Sequence, residues 1–208
     1  MVAIARPVGG TTTVDIAGSG PGVLLAHGAG AGHEHPFLVG VRRRLVAAGF
    51  CVATFDYPYR EEGRRAPDRF ERLLACHQAV FDHVCAAADA APFLVGKSMG
   101  GRIGSHLRVP APGWVFLGYP LVAAGKTVPR DVSHLAGIGP LLFVQGSRDS
   151  LAPLPLITGV VAALAEADLE VIPDADHGFR VPKRTGIDAE VVMDRIADRV
   201  AEWMRRVA

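Results

Sequence analysis

Short apolar runs recur along the chain and are separated by segments with helical periodicity. The runs are continuous rather than alternating, which is typical of strands whose two faces are both covered by helices. The pattern therefore predicts buried parallel strands over Val23 to Ala26, Cys51 to Phe55, Phe93 to Val95, Trp114 to Leu117, Leu141 to Val144 and Leu169 to Ile172.

The segments between these runs carry apolar residues three or four positions apart, which predicts helices. Thr11 to Ile16 alternates in polarity and predicts an antiparallel edge strand. Strands and helices that alternate along a chain predict a three-layer α/β/α sandwich with a mostly parallel sheet. The predicted helices cover residues 37–48, a long segment that Asp68 can N-cap, residues 154–167 and residues 188–207.

Length and composition indicate one globular domain. The chain has 208 residues, of which 50% are hydrophobic, and its 22 basic and 21 acidic residues give a formal net charge of +1. This composition suits a packed core rather than a disordered chain. The balanced charge disfavours a nucleic-acid binder that relies on a basic face. We expect residues 1–208 to form a single domain that is a monomer or a homodimer.

No segment has the pattern of a membrane anchor. The longest apolar stretch, residues 151–165, is interrupted by Pro153, Pro155 and Gly159. Residues 1–10 lack the apolar core of a signal peptide. We therefore expect a cytoplasmic protein that does not bind membranes.

A G-x-S-x-G motif, Gly96 to Gly100, directly follows the third predicted strand. When a strand turns straight into a helix, the central residue lies on a strained backbone and its side chain is exposed at the sheet edge. Glycines are needed on both sides because strand and helix approach too closely for a Cβ atom. Ser98 is thus a candidate nucleophile.

Two other motifs resemble nucleotide-binding loops but are incomplete. Gly96-Lys97-Ser98 resembles the end of a P-loop, but Ala91 stands where that motif requires its first glycine. Gly28-Ala29-Gly30 followed later by Asp56 resembles a dinucleotide-binding unit, but His33 replaces the third glycine. We expect no cofactor at either loop.

An acid and a histidine follow Ser98 in the order that an α/β nucleophile requires. Asp149 lies on the loop after the fifth strand, and His177 lies on the loop before the final helix. A serine hydroxyl needs a base to take its proton, and a carboxylate to orient that base. Ser98, His177 and Asp149 are the predicted catalytic residues, with Asp131 as the alternative acid.

The transition state of acyl transfer needs donors for its oxyanion. The backbone N–H groups of Met99 and Ala29 are the predicted donors, and the Gly30 N–H is the alternative to Ala29. Gly28 and Gly30, on the same loop, are predicted to contact substrate. Two groups of side chains could in principle hold a metal ion: His33-Glu34-His35, and Asp174 with Asp176 and His177. Neither group has an established ligand spacing, so no metal site is predicted.

The segments LLAHGAGAGHEHPF, FDYPY, GKSMGGR, GSRDSLAP and DADHGF resemble the α/β-hydrolase fold family in its dienelactone-hydrolase-like branch. They are most similar to the subfamily that contains the hydrolase-like domain of an NSL acetyltransferase-complex subunit and its bacterial relatives. The resemblance extends from about residue 20 to 205 and implies Ser98 as nucleophile, Asp149 as acid and His177 as base. Dienelactone hydrolases carry cysteine at the position of Ser98, so a lactone substrate is disfavoured.

The segment from Tyr119 to Gly139 is too short for a substantial cap domain, so an open site is expected. Tyr57 and Tyr119 follow strands and are predicted to form its walls. These features favour a serine hydrolase that cleaves small soluble carboxylic esters or thioesters. Two alternatives stay open: an interaction module with little catalytic activity, and a nucleotide-binding oxidoreductase that uses the glycine loop and Asp56.

Overall fold

The computed structural model describes residues 1–5, 9–88 and 90–208. Within these ranges the strands are β1 (Val2–Ala5), β2 (Thr11–Ala17), β3 (Gly22–Ala26), β4 (Cys51–Phe55), β5 (Phe93–Lys97), β6 (Trp114–Leu117), β7 (Leu141–Gly146) and β8 (Ala167–Ile172). The α-helices are α1 (Pro36–Ala47), α2 (Pro58–Glu61), α3 (Phe70–Ala88), α4 (Met99–Gly104), α5 (Leu154–Ala162) and α6 (Ala189–Val207).

The described strands form one eight-stranded sheet in the order β1-β2-β4-β3-β5-β6-β7-β8. Strands β3 to β8 run parallel to one another, whereas β1 pairs with β2, and β2 pairs with β4, in the antiparallel direction. The antiparallel direction predicted for Thr11 to Ile16 is confirmed, but its edge position is wrong. Strand β1 pairs outside it, with Val2 opposite Val14. This four-residue strand is too short to carry a clear periodic signal.

Both faces of the sheet are buried. Helices α3, α4 and α5 cover one face, where Leu24 and Phe143 lie in the core, and α1 and α6 cover the other, where Leu25 and Val144 lie. Neighbouring residues of a strand point to opposite faces, so full burial on both sides requires a continuous apolar run. The predicted three-layer sandwich with a mostly parallel sheet is confirmed.

The elements differ from the prediction mainly at their ends. Helix α5 stops at Ala162 rather than Ala167, because Ala167 begins β8 by pairing with Leu141. Helix α2 was not predicted, because its four residues are too few to show a helical periodicity in the sequence. Asp68 does not cap α3; one of its oxygens accepts hydrogen bonds from Arg64 and Arg72 instead.

The connection that leaves the carboxyl end of β6 forms no cap domain. Residues 118–140, between β6 and β7, contain only the short 3-10 helix Ser133–Leu135 and a single bridge between Val122 and Pro129. The expected absence of a cap domain is confirmed. Across the described ranges, no helix combines the length and apolar character that crossing a membrane requires.

Several imidazoles resist protonation: His27 and His77 are buried in the fold, and His106 and His134 are half-buried. Burial lowers the pKa of His77 to about 3, and burial with nearby His106 and Arg108 lowers the pKa of His134 to about 4. Burial also lowers the pKa values of His27 and His106. A buried imidazolium loses its hydration, so these four side chains fold in the neutral form.

Protein stability should therefore fall on acidification. In the unfolded chain each imidazole has a pKa of about 6.5. Near and below that pH the unfolded chain therefore binds more protons than the folded chain. The stabilisation is complete above about pH 6.5 and is lost as pH falls toward the folded-state pKa values. Melting temperatures measured by circular dichroism from pH 8 to pH 4 should decline, and the decline should be smaller in His134→Gln. A slope that is the same in both proteins contradicts this assignment.

Candidate active site

Ser98 lies on a tight turn between β5 and α4, with a left-handed φ of 50°. Glycines make this turn possible. A Cβ on Gly96 would lie 2.2 Å from the Gly101 nitrogen, and one on Gly100 would lie 2.6 Å from the His27 oxygen. Since these are backbone atoms that cannot move aside, any other residue would separate strand from helix. The G-x-S-x-G pattern thus has the steric origin that the sequence predicts.

A continuous hydrogen-bond chain joins the three residues predicted to be catalytic. The Ser98 Oγ lies 2.8 Å from the His177 Nε2, and the His177 Nδ1 lies 2.7 Å from the Asp149 Oδ2. The carboxylate can only accept, so Nδ1 carries the proton and Nε2 is free to accept from the hydroxyl. The alternative acid, Asp131, is exposed and accepts from the Ser133 N–H and hydroxyl instead.

Asp149 is buried, and its carboxylate is surrounded by donors. Besides His177, the Leu151 N–H donates to it at 2.7 Å, and the Gln145 side-chain amide makes a further short hydrogen bond. The Gln145 carbonyl in turn accepts from the Tyr119 N–H at 3.1 Å. Gln145 therefore fixes the acid to the loop after β6. Sequence reasoning missed this residue, although a lone polar side chain in the apolar run of β7 is a detectable signal.

The loop after β3 is oriented by a buried histidine. The His27 Nε2 accepts from the Tyr57 N–H at 3.1 Å, so Nδ1 carries the proton and donates to the Gly28 carbonyl at 2.8 Å. The carbonyl and N–H of a trans peptide point in opposite directions. Because the Gly28 carbonyl faces His27, the Ala29 N–H of the same peptide points away from His27.

Asp56 holds the far end of the same loop. Its Oδ1 accepts from the His33 N–H at 2.7 Å, and its Oδ2 lies 3.1 Å from the His33 Nδ1. A Cβ on Gly32 would lie 2.9 Å from this carboxylate, so the loop packs directly against it. Asp56, which the oxidoreductase alternative uses for nucleotide binding, is thus engaged within the protein.

Lys97 connects the strand before Ser98 to the loop that carries His177. Its ammonium donates to the His177 carbonyl at 2.8 Å and lies 5.4 Å from the centre of the Phe179 ring. Burial lowers the pKa of Lys97 to about 8, although the charges of Asp149 and Asp176 oppose that effect. Sequence reasoning considered this lysine only as part of an incomplete P-loop and missed the contact.

An open cavity of about 670 Å³ lies over Ser98 and His177. Gly28 and Ala29 line it, as does an apolar wall from α1, α6 and the loop after β7, formed by Phe37, Leu38, Leu151 and Met193. Gly30, predicted to contact substrate, is not among the lining residues.

The predicted walls Tyr57 and Tyr119 are wrong. Both side chains are at most 1% exposed. The Tyr57 hydroxyl lies 2.9 Å from the His77 Nδ1, and the Tyr119 ring packs against Phe116 and Phe143. Each tyrosine follows a strand whose loop turns toward the core, so the rings fill the interior beneath the cavity rather than lining it.

The histidines and carboxylates near the site contact one another in pairs. In the portions of the chain that the structure describes, no group of three or more histidine, cysteine, aspartate or glutamate side chains is arranged to hold a metal ion. The His33 and His177 side chains instead pair with Asp56 and Asp149 respectively.

Known proteins share this architecture. A serine hydrolase homologue from Coxiella burnetii is 17% identical, with a TM-score of 0.73 over 94% of this chain and 95% of its own. A thermophilic esterase from Thermogutta terrifontis, solved with malate, is 16% identical, with a TM-score of 0.71 over 99% of this chain and 98% of its own. A lidless serine hydrolase from Xanthomonas campestris is 19% identical, with a TM-score of 0.70 over 95% and 93%.

The sequence profile of one family covers nearly the whole chain. It matches residues 20–205, which include the turn at Ser98 and the loops of Asp149 and His177. The chain belongs to the Alpha/beta hydrolase domain family.

Proposed function

We propose that the protein is a serine hydrolase of the esterase type that cleaves small soluble carboxylic esters or thioesters. The observation that carries this proposal is the unbroken hydrogen-bond chain from Ser98 through His177 to Asp149. It lies at the base of an open cavity, where a substrate carbonyl can reach the hydroxyl. The thermophilic esterase among the structural neighbours supports the same class of reaction.

The reaction proceeds in two steps. The His177 Nε2 takes the proton of Ser98 as Oγ forms a bond to the substrate carbonyl carbon. The resulting tetrahedral intermediate expels the alcohol or thiol, which receives that proton from His177, and an acyl-enzyme is left on Ser98. Water then gives a proton to His177 and attacks the acyl carbon. The second tetrahedral intermediate releases the acid as His177 returns this proton to the Ser98 Oγ, which restores the free enzyme.

Two backbone N–H groups are assigned to the oxyanion. The Met99 N–H belongs to the first residue of α4, where N–H groups have no partner within the helix. The Ala29 N–H is the second, since it points away from His27 in a residue that lines the cavity. His27 is a positioning residue in this scheme, because it sets the orientation of the Gly28–Ala29 peptide.

We also propose that residues 1–208 form a single domain, because the described strands share one sheet. The interaction-module alternative has no specific observation in its favour, since the Ser98, His177 and Asp149 side chains are all present and in contact. The similarity of FDYPY and its surroundings to the NSL-subunit subfamily stays a prediction.

Replacement of Ser98 by alanine should abolish activity. We expect kcat on short 4-nitrophenyl esters to fall by about 10³-fold or more, because the reaction loses the oxygen that attacks the substrate carbonyl. A fluorophosphonate probe should label the unaltered protein at Ser98 and leave Ser98→Ala unlabelled, as mass spectrometry of tryptic peptides can show. Ser133→Ala, at an exposed serine, is the matched control. A folded, unlabelled and inactive native protein would refute the proposal.

Removal of the His27 imidazole should weaken the oxyanion site. In His27→Ala the Gly28–Ala29 peptide loses its orienting hydrogen bond, so we expect kcat to fall by about 10- to 100-fold with little change in KM. His27→Asn keeps a donor near the Nδ1 position and should recover part of the loss. Circular dichroism verifies folding of both variants. An unchanged kcat in folded His27→Ala would remove His27 from this role.

Replacement of Gln145 by leucine should affect stability and activity together. The change takes one donor from the buried Asp149 carboxylate and leaves the Tyr119 N–H without its acceptor. We expect the free energy of unfolding in urea to fall by about 1–3 kcal/mol and kcat to drop as the acid loses its fixed orientation. Gln78→Leu, where the amide bonds Asp82 at the surface, is the control and should change neither quantity. Equal stabilities of the two variants would argue against the role of Gln145.

A further inference from the structure

The charges around the Ser98 cavity are unevenly compensated. Besides His177, the ionisable side chains that line it are His35, Lys97, Arg180 and Glu190. The walls are otherwise largely apolar. A charged side chain that lines such walls and has no protein partner is solvated by water or paired with a ligand. Arg180 is exposed and is therefore accessible to both.

Among the described residues, Glu190 is the acidic side chain that lines the cavity, and it is already paired within the protein. The Glu190 carboxylate accepts from Arg44 at 2.8 Å and from Arg43 at 3.2 Å. The nearby Asp176 side chain accepts from the backbone N–H groups of Gly178 and Arg180 and does not pair with the Arg180 guanidinium. Neither carboxylate therefore forms an ion pair with the Arg180 guanidinium.

The two cations, Lys97 and Arg180, differ in whether another group of the protein binds them. The Lys97 ammonium donates to the His177 carbonyl at 2.8 Å, so it has a structural partner. The Arg180 guanidinium has no hydrogen bond or ion pair with any group in residues 1–5, 9–88 or 90–208. Arg180 is the charge that remains available to a ligand.

Arg180 also lies between two cavities. It lines the main cavity and an adjoining cavity of about 300 Å³, which Val181, Ile187, Val192, Met193 and Ile196 make apolar. The main cavity accepts an apolar arm that starts at Ser98 and reaches the guanidinium. The planar fork of a guanidinium matches the two oxygens of a carboxylate.

The chemistry of the surroundings favours a carboxylate over a phosphate. A phosphate usually gathers several backbone donors at a helix N-terminus. The first turn of α6 lies beside the cavity, but Asp188 already accepts from the Glu190 N–H at 2.7 Å and caps that helix. One free guanidinium beside a capped helix suits a single planar anion.

We propose that the preferred substrates of the Ser98 site are esters in which one arm is an apolar segment that ends in a carboxylate, and that Arg180 binds this carboxylate. The inference rests on the proposed esterase function. It makes Arg180 a specificity-determining residue, because its contact lies away from the bond that is cleaved.

The test compares matched anionic and neutral esters. Mono-4-nitrophenyl esters of adipic, suberic and sebacic acids carry the carboxylate on the acyl arm, and acetate esters of ω-hydroxyalkanoic acids carry it on the alcohol arm. The neutral partner of each is its methyl ester. In one of the two series we expect kcat/KM to be about tenfold higher for the anionic ester at low salt, with an optimum chain length. Salt at 0.5 M should reduce the preference.

Variants locate the cause of the preference. In Arg180→Gln the anionic-to-neutral ratio should fall to about one, and Arg180→Lys should keep part of it. Arg184→Gln is the matched control, since Arg184 lies on the same segment and lines neither cavity; its ratio should equal that of the unaltered protein. The inference is overturned when neither series shows a preference, or when the preference survives in Arg180→Gln.

The two proposals fail in different ways. Turnover of the neutral esters with labelling of Ser98, but without any anionic preference, overturns only the role of Arg180. Absence of turnover for every ester, together with an unlabelled Ser98, overturns the esterase function itself.

Discussion

The side-by-side pairing of parallel strands is the constraint on which the site depends. Strands β5, β6, β7 and β8 end at one edge of the sheet, so the loops that follow them must meet there. Backbone hydrogen bonds extend this pairing beyond the strands: the Ser98 N–H donates to the Leu117 carbonyl, and the Arg148 N–H donates to the Ala175 carbonyl. Ser98, Asp149 and His177 are therefore positioned by the same ladder that builds the core.

Buried polar side chains give the loops their second support. Gln145 and His27 are fully buried, and each bonds to two groups on different segments. A buried polar atom is costly unless it is paired. Movement of either loop would break such pairs where water cannot replace them, so the hydrogen bonds hold the loop geometry more firmly than surface contacts would. This accounts for a rigid site in a protein without a cap.

Chain order and strand pattern were enough to predict the positions of Ser98, Asp149 and His177, because topology alone brings strand ends together. The same reasoning failed for Tyr57 and Tyr119, since the direction in which a loop turns depends on packing that a single sequence does not reveal. Both rings fill the core and leave the walls to α1 and α6. The supporting roles of Gln145, His27 and Lys97 were missed because they depend on contacts between distant segments.

The lack of a cap determines how this site can select its substrate. The cavity wall comes from Phe37 on α1 and Met193 on α6, two helices joined by hydrogen bonds from Arg44 to Glu190 and Asp194. Both helices also bury their inner faces in the core, so the wall exists before substrate arrives. A preformed wall costs little ordering entropy on binding, but it cannot close around a ligand. Selectivity must then come from fixed shape and fixed charge, which is why an unpaired guanidinium at this wall carries more weight here than it would beneath a closing lid.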